Sequence, residues 1–189
     1  KFRDRGKALR LLWEAFKAYD DADDRARALN DIANELVEWG AYEPARKAFE
    51  LVEREGSPET AAFALRGLLE VAWKTEDRLL LRRVWSKVAR TLHLMPPAVQ
   101  AQMLLYAGGA FCAVGRPSRG MELLREARET ASVFKLAELA ILADQALAEY
   151  SQRAAKEIAP APVKEGHDAI EYVARGIDEM SAAGSLVSA

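Results

Sequence analysis

The sequence is poor in the side chains that active sites and cross-linked folds commonly use: it has one cysteine and two histidines among 189 residues. The single Cys112 excludes an internal disulfide and a cysteine-rich zinc site, and it fits a reducing compartment. His93 and His167 lie far apart, and no His-Glu-x-x-His, glycine-rich phosphate loop or Gly-x-Ser-x-Gly turn occurs. We therefore predict that this chain performs no catalysis and holds no metal or cofactor.

Long apolar runs and an excess of one charge are also missing. No run reaches the roughly 18 residues of a membrane span, and the first ten residues are unlike a secretory signal. The net charge of −2 gives no overall field that would attract nucleic acid or anionic lipid. These features predict a cytoplasmic protein. Because the first residue is Lys1, we expect a fragment of a longer protein or a chain whose disordered start is left out.

Segments typical of β-strands are absent as well, and the composition favours helices. Ala, Leu, Glu and Arg, all strong helix formers, dominate, and half of the residues are apolar, which is enough for a self-stabilising core. The sequence therefore predicts an all-α protein. Prolines and turn glycines divide it into predicted helices over about 5–19, 25–39, 43–55, 58–74, 78–92, 98–114, 117–130, 133–156 and 168–180.

The turns between these helices repeat one pattern: a helix stop, then a small residue, a large one and another apolar one at fixed spacing. Short turns make consecutive helices antiparallel neighbours, and the small residue lets two helices approach while the large one fills the gap. The three copies are Gly40-x-Tyr42-x-x-Ala45-x-x-x-Phe49-x-x-Val52, the looser Glu76-x-Arg78-x-x-Leu81-x-x-x-Trp85-x-x-Val88, and Gly115-x-Pro117-x-x-Gly120-x-x-x-Leu124-x-x-Ala127.

Gly40, Tyr42, Ala45 and Phe49 match the tetratricopeptide repeat (TPR) pattern in order and spacing, so the chain resembles degenerate TPR proteins over about residues 1–150. The resemblance implies a right-handed superhelical α-solenoid of antiparallel helix pairs over residues 1–157. The repeat spacing is 36–39 residues instead of about 34. TPR repeats also carry a glycine in their first helix, and only Gly108 looks like that glycine here. Another α-solenoid, an irregular bundle and a closed four-helix bundle remain alternatives.

In a TPR-like array the first helix of each pair lines the concave side. The polar and aromatic residues expected in this partner-binding groove are Asn30, Asn34, Glu38, Arg66, Glu70, Trp73, Gln102 and Tyr106. Asn30 and Asn34 are one helical turn apart, so their amides could clamp an extended peptide. Solvated polar positions would give the same pattern. Trp73 is the expected anchor, whereas the other tryptophans, Trp13, Trp39 and Trp85, are expected to pack between helices.

A basic outer face is predicted on the helix over 78–92, where Arg83, Lys87 and Arg90 share one side. No acidic residue occurs between Asp77 and Glu122. An acidic partner protein fits this face better than nucleic acid does, because one helix makes a small footprint. A solvated helix face predicts the same residues.

The end of the chain is predicted to be a Pro/Ala linker over 158–167, an amphipathic helix over 168–181 and a frayed tail over 182–189. Such a helix needs a cover for its apolar side. We expect it to cap the array beside the helix over 133–156. The alternatives are that it reaches back into its own groove or into a second copy, which would give a homodimer.

The sequence thus favours a protein-interaction scaffold that binds a partner peptide or helix in its groove, as a regulatory module of a larger bacterial protein. One alternative is a small-molecule-sensing domain with an apolar pocket near Trp73, Tyr106 and Phe111. Another is a structural oligomerisation unit that uses the last helix.

Overall fold

A computed structural model describes residues 5–152 and 167–183, and these two ranges are helical without any strand. The prediction of an all-α protein is confirmed. The described helices are α1 (Arg5–Ala18), α2 (Ala22–Glu38), α3 (Tyr42–Glu55), α4 (Pro58–Thr75), α5 (Arg78–Thr91), a 3-10 turn (Leu92–Leu94), α6 (Pro97–Ala113), α7 (Pro117–Val133), α8 (Ala137–Gln152) and α9 (His167–Ala183).

Two predicted helix starts were wrong. The second helix begins earlier, at Ala22, because the Asp21 carboxylate caps it by accepting the backbone N–H groups of Asp23 and Asp24. The predicted helix over 133–156 begins only at Ala137, because the chain leaves the helical conformation at Lys135. Residues 153–166 and 184–189, which include most of the predicted linker and tail, lie outside the described residues.

The turns predicted to be equivalent share one backbone geometry. Gly40, Glu76 and Gly115 all have left-handed φ angles of 73°, 54° and 81°. The residue that follows each of them donates its N–H to a carbonyl five residues earlier, which is the Schellman closure of a helix. Lys135, with φ of 56°, closes α7 in the same way. The repeated sequence pattern therefore corresponds to a repeated local structure.

The chain divides into two compact units, and the boundary falls inside α4, between Gly67 and Leu68. The described part of the first unit contains α1 to α3, the first half of α4, and α9. The described part of the second unit contains the rest of α4 and α5 to α8.

The core of the first unit is built on close contacts between aromatic rings and small residues. Phe49 of α3 is fully buried, and its ring lies directly over Gly67 of α4. A Cβ atom added to Gly67 would be 2.2 Å from the Phe49 ring. Ala45, one turn before Phe49, is also fully buried. Both positions are therefore buried, and Phe49 fills the space beside Gly67 as expected of the large residue.

Helix α9 belongs to the first unit, where it packs against α1 and α3. Trp13 of α1 covers Gly176 of α9, and the Lys47 ammonium of α3 pairs with Asp178 at 2.7 Å. The hydrogen bond from Lys47 to Asp178 raises the Lys47 pKa above its ordinary value. The apolar face of α9, formed by Ala169, Val173, Ile177 and Met180, is buried.

The expectation that the last helix lies beside the helix over 133–156 was therefore wrong. The apolar face of α9 and the glycine opposite Trp13 give it complementary surfaces on α1 and α3. Pairing of long-range partners of this kind cannot be read from the order of helices along the chain.

The start of α2 is tied to the start of α4 by Asp23. Its carboxylate accepts the Ser57 backbone N–H at 3.3 Å and the Thr60 hydroxyl at 3.2 Å. Hydrogen bonding from Ser57, and then the Arg27 charge, lowers the pKa of Asp23 below its ordinary value. The ionised carboxylate is the form that joins the two helix starts.

Arg25 is an unusual buried cation in the first unit. Its guanidinium lies over the Phe16 ring at 5.1 Å, and among the described residues its Nε and Nη2 groups have no hydrogen-bond acceptor. Buried donors without an acceptor cost about 1–3 kcal/mol. We therefore expect Arg25→Met to raise the free energy of unfolding by about 1 kcal/mol, measured by urea denaturation.

Arg27→Met is the matched control, because Arg27 is exposed and forms a surface ion pair with Asp23 at 2.6 Å. Losing such a pair should lower the free energy of unfolding by less than about 1 kcal/mol. A clear loss of stability in Arg25→Met would mean that the buried guanidinium is satisfied, and the expectation would be wrong.

Candidate functional site

The second unit contains an open cleft between α6 and the start of α8. Its volume is about 400 Å³. The residues from α6 that line it are Ala98, Gln102 and Tyr106. The others are Leu136, which directly precedes α8, and Ala137, Glu138, Leu139 and Leu142 of α8. Five of the eight lining residues are aliphatic, and Gln102, Tyr106 and Glu138 supply polar groups.

The geometry of α6 explains why these side chains face the cleft. Ala98, Gln102 and Tyr106 are spaced four residues apart and so form one row on the helix surface. All three are half-buried, whereas most of the residues between them are buried against other helices. Helix α6 carries no Lys, Arg, Asp or Glu, so much of it can lie in the interior.

The other side of α6 is held very close to α7. Gly108 and Gly120 face each other across this contact, and a Cβ added to Gly120 would be 2.6 Å from the Gly108 carbonyl oxygen. The buried Cys112 thiol lies at the same contact, 2.3 Å from that added Cβ. The predicted small residue of the third turn thus permits close approach of two helices, and Cys112 is packed in the interior as expected.

Tyr106 is supported from behind by an aromatic cluster. The Trp73 ring lies 6.1 Å from the Tyr106 ring and 6.4 Å from the Tyr150 ring, and the Trp73 indole N–H donates to the Tyr150 hydroxyl at 2.5 Å. Trp73 also covers Gly109, where an added Cβ would be 2.4 Å from the indole. Trp73 is half-buried, and its contact with the Tyr106 ring fixes the position of that ring. Trp73 itself is not among the residues that line the cleft.

The three residues expected near one pocket, Trp73, Tyr106 and Phe111, do not line the cleft together. Phe111 packs edge-on against Trp85 of α5, with the ring centroids 6.0 Å apart. Tyr106 and Phe111 are five residues apart on one helix, so they point in directions about 140° apart. The aromatic residues thus form two separate clusters, and only Tyr106 reaches the cleft.

The two asparagines predicted as a clamp differ in exposure and in hydrogen bonding. Asn30 is only 8% exposed, and within the described ranges its Oδ1 atom has no hydrogen-bond donor. Asn34 is half-buried, and its Oδ1 accepts a hydrogen bond from Arg66 at 2.5 Å. Asn30 is buried because it continues the row of Ala26, Ala33 and Val37 on α2. That spacing was the sequence signal against a groove position.

The remaining predicted residues differ in exposure. Glu38 is exposed at the end of α2 in the first unit, and Glu70 is half-buried in the second unit. Arg83, Lys87 and Arg90 are exposed on α5, as expected for an outer face, while Leu80, Leu81, Val84 and Val88 are buried. Binding by any of these residues stays a prediction. Trp13 and Trp39 are buried, which favours their interpretation as packing residues.

Leu142 is one of the cleft residues that sequence reasoning missed. It is 39% exposed although it lies on the apolar helix α8, and Leu136 and Leu139 are half-buried beside it. The sequence signal was present, because a helix that carries leucines on more than one face must leave some of them uncovered.

The chain matches no protein-family model, and no curated protein or solved structure shows significant similarity to it. The TPR resemblance therefore depends on the repeat residues alone. In the described ranges no helix is long and apolar enough to cross a membrane. No group of three or more His, Cys, Asp or Glu residues in the same ranges is arranged to hold a metal ion.

Proposed function

We propose that this chain is a helical-repeat scaffold that binds a peptide or helix of a partner protein in the cleft between α6 and α8. The observation that carries the proposal is an open cleft of about 400 Å³ with mixed lining, three leucines on one wall and the Gln102–Tyr106 row on the other. Binding sites commonly combine an apolar lining with a few polar groups that fix orientation.

The shape of the cleft favours a protein segment as its occupant. Grooves that bind amphipathic helices accept large aliphatic side chains at i, i+3 or i+4 spacing. The row from Ala98 to Tyr106 extends over two helical turns, about 12 Å, which suits such a pair of side chains. Val133 and Phe134, which come just before Leu136, are 67% and 53% exposed and add apolar surface for a partner.

The TPR resemblance supports a wider role. Arrays of this kind serve as rigid supports for recognition, so we propose that the chain is a regulatory interaction module of a larger bacterial protein that acts in the cytoplasm. On this proposal it performs no bond chemistry itself. The right-handed superhelix implied by the resemblance remains part of the proposal.

Selecting peptides from a displayed random library and measuring their affinity by fluorescence anisotropy tests the proposal. We expect Leu142→Lys to weaken the selected peptides by at least about tenfold, or 1.4 kcal/mol, because it places a charge in the cleft wall. Leu142 is part-exposed, so this variant should still fold, which circular dichroism would verify.

Ile141→Lys is the matched control. Ile141 is the preceding residue on the same helix, is 57% exposed, and does not line the cleft. Its substitution should change peptide affinity by less than about threefold. Equal affinities in wild type and Leu142→Lys would contradict the proposed site. A small metabolite that displaces the peptides and binds more tightly would favour the sensing alternative instead.

A further inference from the structure

The formal charge in the cleft between α6 and α8 has one sign. Glu138 is the only charged residue among those that line it. The α6 wall carries no charged residue, and α8 carries Glu138, Asp144 and Glu149 without a single Lys or Arg. Any charged group of a partner that reaches the cleft therefore meets a carboxylate and neutral side chains.

Glu138 is available for a partner. Its side chain is exposed at the first turn of α8, and among the described residues it forms no ion pair. By contrast, Asp144 lies outside the cleft and pairs with Arg128 of α7 at 2.6 Å. Glu138 stands one turn before Leu142, on the same side of the helix. An aliphatic contact and a carboxylate are thus side by side at the rim.

Glu138 and the leucines together restrict the chemistry of the occupant. A cation that approaches the rim gains attraction from Glu138, while an anionic segment is repelled and also faces an apolar wall that cannot solvate it. Charge pairs at the rim of an interface contribute more to choosing between partners than to affinity.

We propose that the cleft selects a basic amphipathic segment. Two aliphatic side chains one helical turn apart contact Leu139, Leu142 and Tyr106, and a Lys or Arg next to them pairs with Glu138. This inference rests on the proposed function and adds to it the chemistry of the partner and the residue that sets the preference.

Two 12-residue helical peptides test the inference, each with two leucines one turn apart, flanked by lysines in one and by glutamates in the other. Wild type should bind the lysine peptide at least about fivefold more tightly at 20 mM salt, and the preference should shrink at 500 mM salt. Glu138→Gln should remove the preference, and Glu138→Lys should reverse it. Asp144→Asn is the matched control and should keep it.

The outcomes separate this inference from the proposed function. If wild type binds both peptides equally and Leu142→Lys weakens both, the cleft binds peptides but the charge preference is wrong. A preference that survives Glu138→Gln overturns the inference too, as does a lysine peptide that fails to bind at 1 mM. If peptides bind but none depends on Leu142, the proposed site itself is wrong.

Discussion

Gly120→Ala should lower the free energy of unfolding of the second unit by about 3 kcal/mol. The added Cβ would be 2.6 Å from the Gly108 carbonyl oxygen, 2.7 Å from the Cys112 backbone nitrogen and 2.3 Å from the Cys112 sulfur. Two of these atoms belong to the backbone of α6, so relief requires α6 and α7 to move apart. The cost of such overpacking exceeds the roughly 1 kcal/mol that alanine gains over glycine in helix propensity.

Urea denaturation would measure this change, and the reaction rate of the buried Cys112 thiol with a disulfide reagent would report on the α6–α7 contact itself. Gly115→Ala is the control, because its added Cβ has no neighbour within 4 Å and only its φ of +81° opposes alanine. It should cost about 1–2 kcal/mol. The double variant Cys112→Ala, Gly120→Ala should recover only part of the loss. Full recovery would show that the backbone contact is unimportant.

Local features of the fold could be predicted because they are encoded by neighbouring residues. Gly40 and Gly115 ended the helices where expected, since glycine adopts a left-handed conformation without strain. Glu76 fitted the repeat only loosely by residue type, yet its backbone has the same conformation. Lys135 gave no such signal, so the break between α7 and α8 was expected a few residues too early. A turn that a non-glycine residue accepts at some energetic cost cannot be recognised from its composition.

The candidate site was predicted only in part, because it depends on contacts between distant elements. Gln102 and Tyr106 were identified from their position on the first helix of a pair, and both line the cleft. Asn30 was expected in the groove although its spacing from Ala26, Ala33 and Val37 places it on the buried side of α2. The lining residues Glu138 and Leu142 were not singled out, because the cleft depends on how α8 packs beside α6.

The long-range arrangement of α9 shows the same limit. Its apolar periodicity predicted an amphipathic helix that needs a cover, and the buried Val173, Ile177 and Met180 agree with this. Its neighbours α1 and α3 could not be inferred, because several faces of the chain offered apolar surface. The contact of Gly176 with Trp13 distinguishes these neighbours, and it depends on shape that appears only in three dimensions.

The contact of Phe49 with Gly67 should dominate the stability of the first unit. Phe49 is fully buried, so Phe49→Ala removes a large side chain and leaves a cavity, for which we expect a loss of about 4 kcal/mol in the free energy of unfolding. Gly67→Ala should cost about 2 kcal/mol, because its Cβ would lie 2.2 Å from the ring.

The pair Phe49 and Gly67 also permits a test by rescue. Phe49→Leu in the Gly67→Ala background replaces the flat ring with a shorter side chain and makes room for the new methyl group. The double variant should therefore lose less free energy of unfolding than Phe49→Leu and Gly67→Ala lose when their separate losses are added. We expect a coupling energy of at least about 1 kcal/mol in urea denaturation. Strict additivity would show that the ring and Gly67 do not compete for the same space. Gly67 would then make no contribution to the packing of α3 against α4.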